Sequence, residues 1–300
     1  MAADRAQMFP GKHFISTILD ALEAKTAMSG LMRRRYLQRA AMAGILIGLM
    51  YVVNYTVIST FAALPAGTGN LAGVGRMVGA LAFGWALVFI YYSKSELLTS
   101  NMMIVSIGVY YRRITAGRAL RLLALCFVGN LLGGAGIAGL LRLSTLTDGA
   151  VAAQLDAAVA HKLEFVTAGT GGWVDLLVRA MLCNFMINLA MLLVYNGFIK
   201  DDLTKSLVMI MSVFIFAFLG FEHSVANSVL FLIVGFAHGI DLALAASQVG
   251  LCLLGNFLGG GVLIGLYYAY VNDDRRFRPD PPTDQGTPSA SISAHERIGA

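Results

Sequence analysis

Two matching stretches, ELLTSN at Glu96–Asn101 and EHSVAN at Glu222–Asn227, are the most informative part of this chain. Each places a glutamate five positions before an asparagine, and each interrupts a long apolar run. A second shared motif follows each stretch, GNLLGG at Gly129–Gly134 and GNFLGG at Gly255–Gly260, and the distance between the asparagines of the two motifs is 29 residues in both halves. Two motifs that recur at one spacing indicate an internal duplication. Polar breaks at matching places of two repeats point to a transport site.

The composition is that of a membrane protein. Of the 300 residues, 57% are hydrophobic and 13% are charged, whereas a soluble domain carries about 25% charged residues. The net charge of +5 comes from cations beside apolar runs, so it does not predict a nucleic-acid partner. The three cysteines lie inside apolar runs without metal-binding spacing, so we expect no disulfide framework, no metal and no cofactor.

Six apolar runs are candidates for membrane spans, since one helical crossing needs roughly 20 apolar residues. They cover about 40–61, 76–109, 119–141, 174–195, 206–237 and 247–270. The second and fifth are the long ones, and each contains a polar break. We therefore predict an all-α membrane protein with two three-span repeats, about 40–141 and 174–270. Because three is an odd number, the two repeats must be inverted relative to each other.

Lysine and arginine residues predict the orientation in the membrane. They cluster before span one, between spans two and three, between spans four and five, and after span six, whereas segments 64–75 and 240–248 contain none. Since cytoplasmic loops are rich in these cations, we predict a multi-pass protein of the inner or plasma membrane with both termini cytoplasmic. We divide the chain into a cytoplasmic N-terminal segment 1–39, a transport domain 40–272 and a disordered cytoplasmic tail 273–300.

The N-terminal segment contains apolar residues at helical spacing between about 14 and 32. This pattern predicts an amphipathic helix that lies on the membrane surface or against neighbouring subunits.

Ionisable residues at the two breaks are the candidates for chemistry. Irregular backbone at membrane depth is tolerated only inside protein or beside a water-filled cavity, so both breaks belong in the interior. His223 can hold or release a proton near neutral pH and is costly within a span, which favours a role in a pathway. Glu96 and Glu222 are expected to cap the half-helices that follow them, and Asn101 and Asn227 to bond loose backbone.

The glycine motifs and Lys162 lie outside the breaks. The motifs sit in mid-span, so their G-x3-G spacing predicts close helix packing and not phosphate binding. Lys162 precedes span four on the non-cytoplasmic side. A lone loop lysine is usually a solvated charge, whereas a lysine at a pore entrance attracts anions, and both interpretations stay open.

Together these residues resemble the formate/nitrite transporter family from about residue 12 to residue 270. The string GFEHSVAN at Gly220–Asn227 is the most specific element, and it is joined by ELLTS at Glu96, by both glycine motifs, by Lys162 and by Asn184. The resemblance implies an aquaporin-like six-span protomer with a pore, assembled as a homopentamer among membrane lipids. It also implies passage of small monovalent anions such as formate, nitrite, hydrosulfide, acetate or lactate.

The resemblance further implies positions along the pore. One hydrophobic constriction would form from Phe83, Leu87 and the span-two loop, and Phe216 would contribute to the other. The remaining pathway residues that it implies are Leu97, Leu98, Thr99, Asn184, His223 and Lys162.

The sequence departs from the family pattern at two positions. Leu98 stands where phenylalanine is usual, and Lys94 stands where a small residue is usual. We interpret the Lys94 side chain as one that extends to the membrane interface. Its alternatives are an ion pair with Glu96 and a direct contact with the anion.

A bare anion that crosses two apolar constrictions loses much hydration free energy, and a neutral acid loses far less. We therefore interpret the chain as a proton-linked channel or transporter, with His223 supplying or relaying the proton and Lys162 concentrating the anion. An aquaporin-like channel for neutral solutes is the alternative, although the paired NPA motifs of aquaporins are absent. An enzyme is not expected, because His223 has no histidine or cysteine partner at the i+4 position.

Overall fold

The structure, a computed structural model, describes residues 8–275. Five helical stretches are long and apolar enough to cross a membrane, and they are Arg33–Ala62, Ala72–Tyr92, Ala116–Arg142, Gly169–Tyr195 and Leu242–Val271. Two shorter apolar helices, Leu98–Tyr110 and Ser224–His238, follow the two polar breaks. These helices confirm the prediction of an all-helical, multi-pass membrane protein. Nearly all of the predicted disordered tail lies outside the described residues.

The helices of the described residues are numbered in chain order. They are α1 (Lys12–Leu31), α2 (Arg33–Ala62), α3 (Ala72–Phe83), α4 (Trp85–Tyr92), α5 (Leu98–Tyr110), α6 (Ala116–Arg142), α7 (Gly149–Thr167), α8 (Gly169–Tyr195), α9 (Asp202–Phe218), α10 (Ser224–His238), α11 (Leu242–Asn256) and α12 (Tyr267–Val271). A short antiparallel pair, β1 (Pro65–Ala66) and β2 (Gly69–Asn70), follows α2. A π-helical segment, Phe257–Leu266, connects α11 to α12.

The predicted amphipathic helix is present as α1, but it packs within its own protomer. The apolar side chains of Phe14, Ile18 and Leu22 are at most 2% exposed. The helix rests on α5, where the absence of a side chain at Gly108 admits Leu22. The buried apolar face of α1 is thus covered by α5, and the expectation that the helix lies on the membrane surface or against neighbouring subunits stays a prediction.

Each polar break is a five-residue interruption between two helices. Residues 93–97 separate α4 from α5, and residues 219–223 separate α9 from α10. A left-handed residue occupies the same place in each break, with φ 57° at Lys94 and φ 69° at Gly220. Glycine adopts this conformation without strain, whereas a residue with a Cβ loses about 1–2 kcal/mol. Backbone geometry thus gives a physical reason for a small residue at this place.

The glycine motifs allow helices to approach to backbone contact, as their spacing predicts. A Cβ at Gly133 would lie 1.8 Å from the carbonyl oxygen of Ala41 in α2. A Cβ at Gly259 would lie 1.9 Å from the carbonyl oxygen of Met181 in α8. The first motif therefore joins α6 to α2, and the second joins α11 and the π-helical segment to α8.

Alanine at either of these glycines is expected to destabilise the protein by about 3 kcal/mol or more, since a backbone carbonyl must move to admit the methyl group. Gly136→Ala is the matched control, because a Cβ at Gly136 of the same helix α6 would meet nothing within 4 Å. Thermal unfolding of the purified protein in detergent measures the difference. Equal melting temperatures for Gly133→Ala and Gly136→Ala would contradict the packing role.

Charged side chains hold the ends of two membrane segments. Asp201 caps α9 by accepting a hydrogen bond from the Thr204 N–H at 2.6 Å, and hydrogen bonds from Thr204 lower the pKa of the Asp201 carboxyl below its ordinary value. After α12, Asp273 accepts from Arg275 at 2.6 Å, and this guanidinium holds the pKa of Asp273 well below its usual range. Both carboxylates are therefore charged at neutral pH, so the contacts persist there.

Candidate functional site

An asparagine of the first glycine motif holds the first break together. The amide oxygen of Asn130 accepts a hydrogen bond from the Leu98 N–H at 3.1 Å. Its amide nitrogen donates to the carbonyl oxygens of Ala40 and Glu96, both at 2.8 Å. One side chain thus satisfies the two backbone groups of Leu98 and Glu96 at the helix break and ties the break to Ala40 of α2.

The second break repeats this arrangement with Asn256. The amide oxygen of Asn256 accepts from the Ser224 N–H at 2.9 Å. Its amide nitrogen donates to the carbonyl oxygens of Ala180 at 2.7 Å and Glu222 at 3.0 Å. Sequence analysis missed this role for both asparagines. The available signal was a polar residue repeated in mid-span at one spacing from each break.

Each break glutamate is buried and paired with a lysine from another helix. Glu96 is 3% exposed and forms an ion pair with Lys25 of α1. Glu222 accepts hydrogen bonds from the Lys162 ammonium at 2.8 and 2.9 Å. Lys162 lies on α7, not in a loop, and its side chain is only 12% exposed. Its charge is therefore matched by Glu222 and not freely solvated.

These ion pairs correct the expected role of the glutamates as helix caps. The carboxylates are occupied by lysines and by the break asparagines, with Asn101 donating to Glu96 at 3.2 Å and Asn227 donating to Glu222 at 2.5 Å. The asparagines therefore bond side chains and not loose backbone. At the half-helix starts, Asn130 accepts from the Leu98 N–H, and Asn256 and His223 accept from the N–H groups of Ser224 and Ala226.

His223 is buried at the start of α10, and both of its ring nitrogens are engaged. The Ala226 N–H donates to Nδ1 at 3.0 Å, so the imidazole caps the helix. A backbone N–H can only donate, which means that Nδ1 is unprotonated and the neutral ring carries its hydrogen on Nε2. Nε2 lies 3.0 Å from Oγ1 of Thr99 in α5 and donates to it. One hydrogen bond therefore joins the two half-helices.

Asn184 of α8 holds Thr99 in position. Its amide nitrogen donates to the Thr99 carbonyl oxygen at 3.1 Å, and the amide of Asn188 donates to the same oxygen at 3.2 Å. Gly260 of the π-helical segment makes room for both amides, because a Cβ there would lie 2.3 Å from each nitrogen. Asn184 is thus linked to His223 through Thr99.

A narrow apolar cavity lies beside His223 at the centre of the protomer. Its volume of 20 Å³ is about that needed for one water molecule. Within residues 8–275, His223 is the one polar residue that lines it. A vestibule of 340 Å³, lined by Lys162 and Glu222, lies next to the second break, and we name it the break-two vestibule. The break-one vestibule, of 90 Å³, is lined by Lys94 and Glu96.

Apolar side chains separate the central cavity from both vestibules. Phe83 and Phe216, with ring centroids 6.5 Å apart and edge to face, line both the cavity and the break-two vestibule. Leu87 and Leu97 line both the cavity and the break-one vestibule. Phe83 therefore lies beside Phe216, and the expected constriction of Phe83, Leu87 and the span-two loop stays a prediction. Leu98 lines none of these three spaces.

Known proteins are similar to this chain in sequence and architecture. A family model described as formate/nitrite transporter matches residues 12–270. The nitrite transporter NirC of Salmonella typhimurium (strain LT2) is 29% identical over 248 residues, which cover 81% of this chain and 84% of the relative. The formate channel FocA of Haemophilus influenzae is 29% identical over 255 residues, which cover 76% and 84%.

Solved structures agree with the sequence relatives. A chain described as an FNT family ion channel has a TM-score of 0.74 and 26% identity, with coverage of 87% of this chain and 99% of that one. A pentameric formate channel with formate bound has a TM-score of 0.63 and 23% identity, with coverage of 79% and 96%, and this shows a shared fold. The relatives are transporters and channels, which confirms the transport class over the enzyme class. The chain belongs to the formate/nitrite transporter family.

Proposed function

We propose that this chain is an aquaporin-like, six-span channel or transporter that carries small anions of weak acids together with a proton. The relatives are named for nitrite and formate transport, and one similar solved channel is described as pentameric with formate bound. We extend both properties to this chain. Its substrate is formate, nitrite or a related monovalent anion, and it assembles as a homopentamer in the inner or plasma membrane with both termini cytoplasmic.

The observation that carries this proposal is the position of His223 in an apolar cavity between two apolar constrictions. Desolvation makes this passage costly for an anion and far less so for its neutral acid. The hydroxyl of Thr99 accepts from the His223 ring and fixes the orientation of the ring. His223 therefore brings the polar group to the place where the charge of the anion is least stable.

The hydrogen bonds of His223 also determine how a proton is supplied. The neutral ring cannot release its Nε2 hydrogen readily, because an imidazolate would remain. It first takes a second proton at Nδ1, which breaks the bond from the Ala226 N–H. The Nε2 proton then moves to an anion oxygen, which forms the neutral acid and leaves a neutral ring with its hydrogen on Nδ1. Loss of that hydrogen and uptake of another at Nε2 restore the cap.

Two substitutions at His223 separate its proton chemistry from its helix cap. Asn keeps a side-chain oxygen that can cap α10, but it does not titrate. His223→Leu removes both functions. Leucine is also the residue at the matching place of the first break, where Leu97 lies. We expect both variants to lose proton-dependent formate uptake by roughly 100-fold, the usual scale of general acid catalysis. Only His223→Leu should also lose stability, by about 1 kcal/mol.

Flux into proteoliposomes that contain the purified full chain tests both the function and the histidine. Uptake of formate, nitrite, acetate, lactate and glycerol is measured at two external pH values, with size-exclusion chromatography as the check on assembly. Thr99→Ser is the matched control, since it keeps the hydroxyl that bonds His223. Normal pH-dependent uptake by His223→Asn would contradict the relay. Glycerol uptake without anion uptake would favour the neutral-solute channel instead.

A further inference from the structure

Lys94 is a charged residue of the break-one vestibule that the proposed pathway does not use, and its backbone is strained. Its φ is 57°, in the left-handed region that is sterically unfavourable for a residue with a Cβ. The matching residue of the second break is Gly220, with φ 69°. Strain of this kind persists where the surrounding structure maintains it and is concentrated at functional sites. The lysine thus occupies a place where glycine would build the same turn without strain.

The surroundings of Lys94 leave its ammonium without a counter-ion. The side chain is exposed and lines the break-one vestibule, with Nζ 5.0 Å from the centroid of the Tyr91 ring. Its carbonyl oxygen accepts a hydrogen bond from Nε of Arg39 at 2.7 Å. Among residues 8–275, no carboxylate forms an ion pair with Lys94 or Arg39, because the break glutamate, Glu96, is paired with Lys25.

The break-one vestibule is therefore positively charged. Three cations, Lys25, Arg39 and Lys94, and one carboxylate, Glu96, line it, which leaves a net charge of +2. Its volume of 90 Å³ is several times that needed for one water molecule, which is room for one small carboxylate or nitrite ion. A small, cationic space next to an apolar constriction raises the local concentration of small anions.

The second break shows that the free cations are not needed to build the turn. Arg179 makes the equivalent contact there, with its guanidinium 3.0 Å from the carbonyl oxygen of Gly220. Arg179, however, also pairs with Asp175 at 2.8 Å. The same backbone contact thus exists in the second break with a neutralised arginine and with no lysine. At the left-handed turn itself, the additional cation is therefore specific to the first break.

We propose that Lys94, with Arg39 and the face of Tyr91, forms an anion-docking site that holds a monocarboxylate or nitrite ion before it reaches the constriction at Leu97. The ammonium attracts the anion, the Tyr91 ring orients the ammonium through a cation–π contact, and Arg39 adds a second donor. This inference rests on the proposed function, and it replaces the interpretation that Lys94 only extends to the membrane interface.

Substitutions at position 94 separate the charge from the backbone. Lys94→Gly removes the charge and the strain, Lys94→Asn removes the charge in a residue that tolerates left-handed backbone, and Lys94→Arg keeps the charge. Arg118→Gln is the control, since Arg118 is an exposed cation that lines neither vestibule. Formate flux is measured against concentration at low and high salt, from each side, in right-side-out and everted vesicles. Proteoliposomes with and without phosphatidylglycerol test the role of lipid charge.

We expect Lys94→Gly and Lys94→Asn to raise the half-saturating formate concentration about fivefold at low salt, the effect of one unit charge at about 4 Å in water. The increase should occur for formate offered from one side only and should shrink at high salt, while Lys94→Arg and Arg118→Gln stay near wild type. Unchanged half-saturation in the first two variants overturns the docking site while the proposed function stands. If half-saturation increases only in proteoliposomes that contain phosphatidylglycerol, Lys94 binds lipid headgroups, and the docking site is overturned. Absence of any anion flux in the wild type overturns the proposed function itself.

Discussion

Glu222→Gln is expected to destabilise the protein by about 3–5 kcal/mol, because it leaves the charge of Lys162 in a buried site without its counter-ion. The glutamate is 2% exposed. It also accepts hydrogen bonds from Asn227 and Gln248, so its loss weakens a network and not a single pair. Lys162→Met should destabilise the protein by a similar amount, since it leaves the Glu222 carboxylate unpaired. The double variant Glu222→Gln/Lys162→Met should recover much of the lost stability, because neither charge remains buried.

Thermal unfolding of the purified protein in detergent, with size-exclusion chromatography, measures these effects. The matched control is Asp202→Asn, since Asp202 forms an exposed pair with Lys205 at 3.1 Å. Exposed pairs contribute about 0–1 kcal/mol, so this variant should unfold near the wild-type temperature. Equal melting temperatures for Glu222→Gln and Asp202→Asn would contradict a structural role for the buried pair.

This ion pair also changes the expectation for Lys162. A lysine in a loop would act on anions with its full charge, whereas Lys162 is held 2.8 Å from a carboxylate oxygen. Its attraction for an anion in the break-two vestibule is therefore partly cancelled by Glu222. The proposed role of Lys162 in concentrating anions depends on how far that pair opens when an anion arrives.

Asn256→Leu is expected to prevent folding of the transport domain. The substitution removes three hydrogen bonds and leaves the Ser224 N–H and the carbonyl oxygens of Ala180 and Glu222 without this partner. The Ala180 carbonyl lies within helix α8, whereas the Ser224 N–H and the Glu222 carbonyl lie at the break. Each buried group left unsatisfied costs about 1–3 kcal/mol, so the total for these two is about 2–6 kcal/mol. Asn130→Leu should have the same effect in the first half, because Asn130 forms the same three bonds.

Fluorescence-detected size-exclusion chromatography of a fusion protein reports whether these variants fold. Ser228→Ala is the control, since the Ser228 hydroxyl is buried but donates a single bond, to the Ser224 carbonyl oxygen at 2.8 Å. Its loss should cost no more than about 1 kcal/mol. A symmetric peak and a wild-type melting temperature for Asn256→Leu would contradict the account of the breaks.

The duplicated breaks and the glycine packing could be predicted from the sequence because both are local motifs. In each half, the glutamate, the asparagine and the two glycines that identify the repeat lie within about 40 residues of one another. The partner of Glu96 could not be found in this way. Lys25 is 71 residues away on a helix that the sequence predicted at the membrane surface, and only the packing of α1 on α5 brings the two together.

The contact between Phe83 and Phe216 could not be predicted from the sequence, whereas the backbone conformation of Lys94 could. Phe83 meets Phe216 because α3 crosses α9, and no local pattern records that crossing. Lys94, in contrast, could have been interpreted from the sequence. Aligning the two breaks on Glu96 and Glu222 places it opposite Gly220, and a glycine at that place indicates left-handed backbone.

The central claim is that the anion crosses as a neutral acid, and uptake of nitrite compared with nitrate tests it most directly. The two ions are similar in size and equal in charge, but only nitrite is the anion of a weak acid. Proteoliposomes with an internal pH dye, and protein-free liposomes as the control for leakage through lipid, report anion and proton entry together. We predict nitrite uptake with matching internal acidification, negligible nitrate uptake, and loss of both nitrite signals in His223→Asn. Nitrate uptake at the nitrite rate, or nitrite uptake without proton entry, would contradict the account.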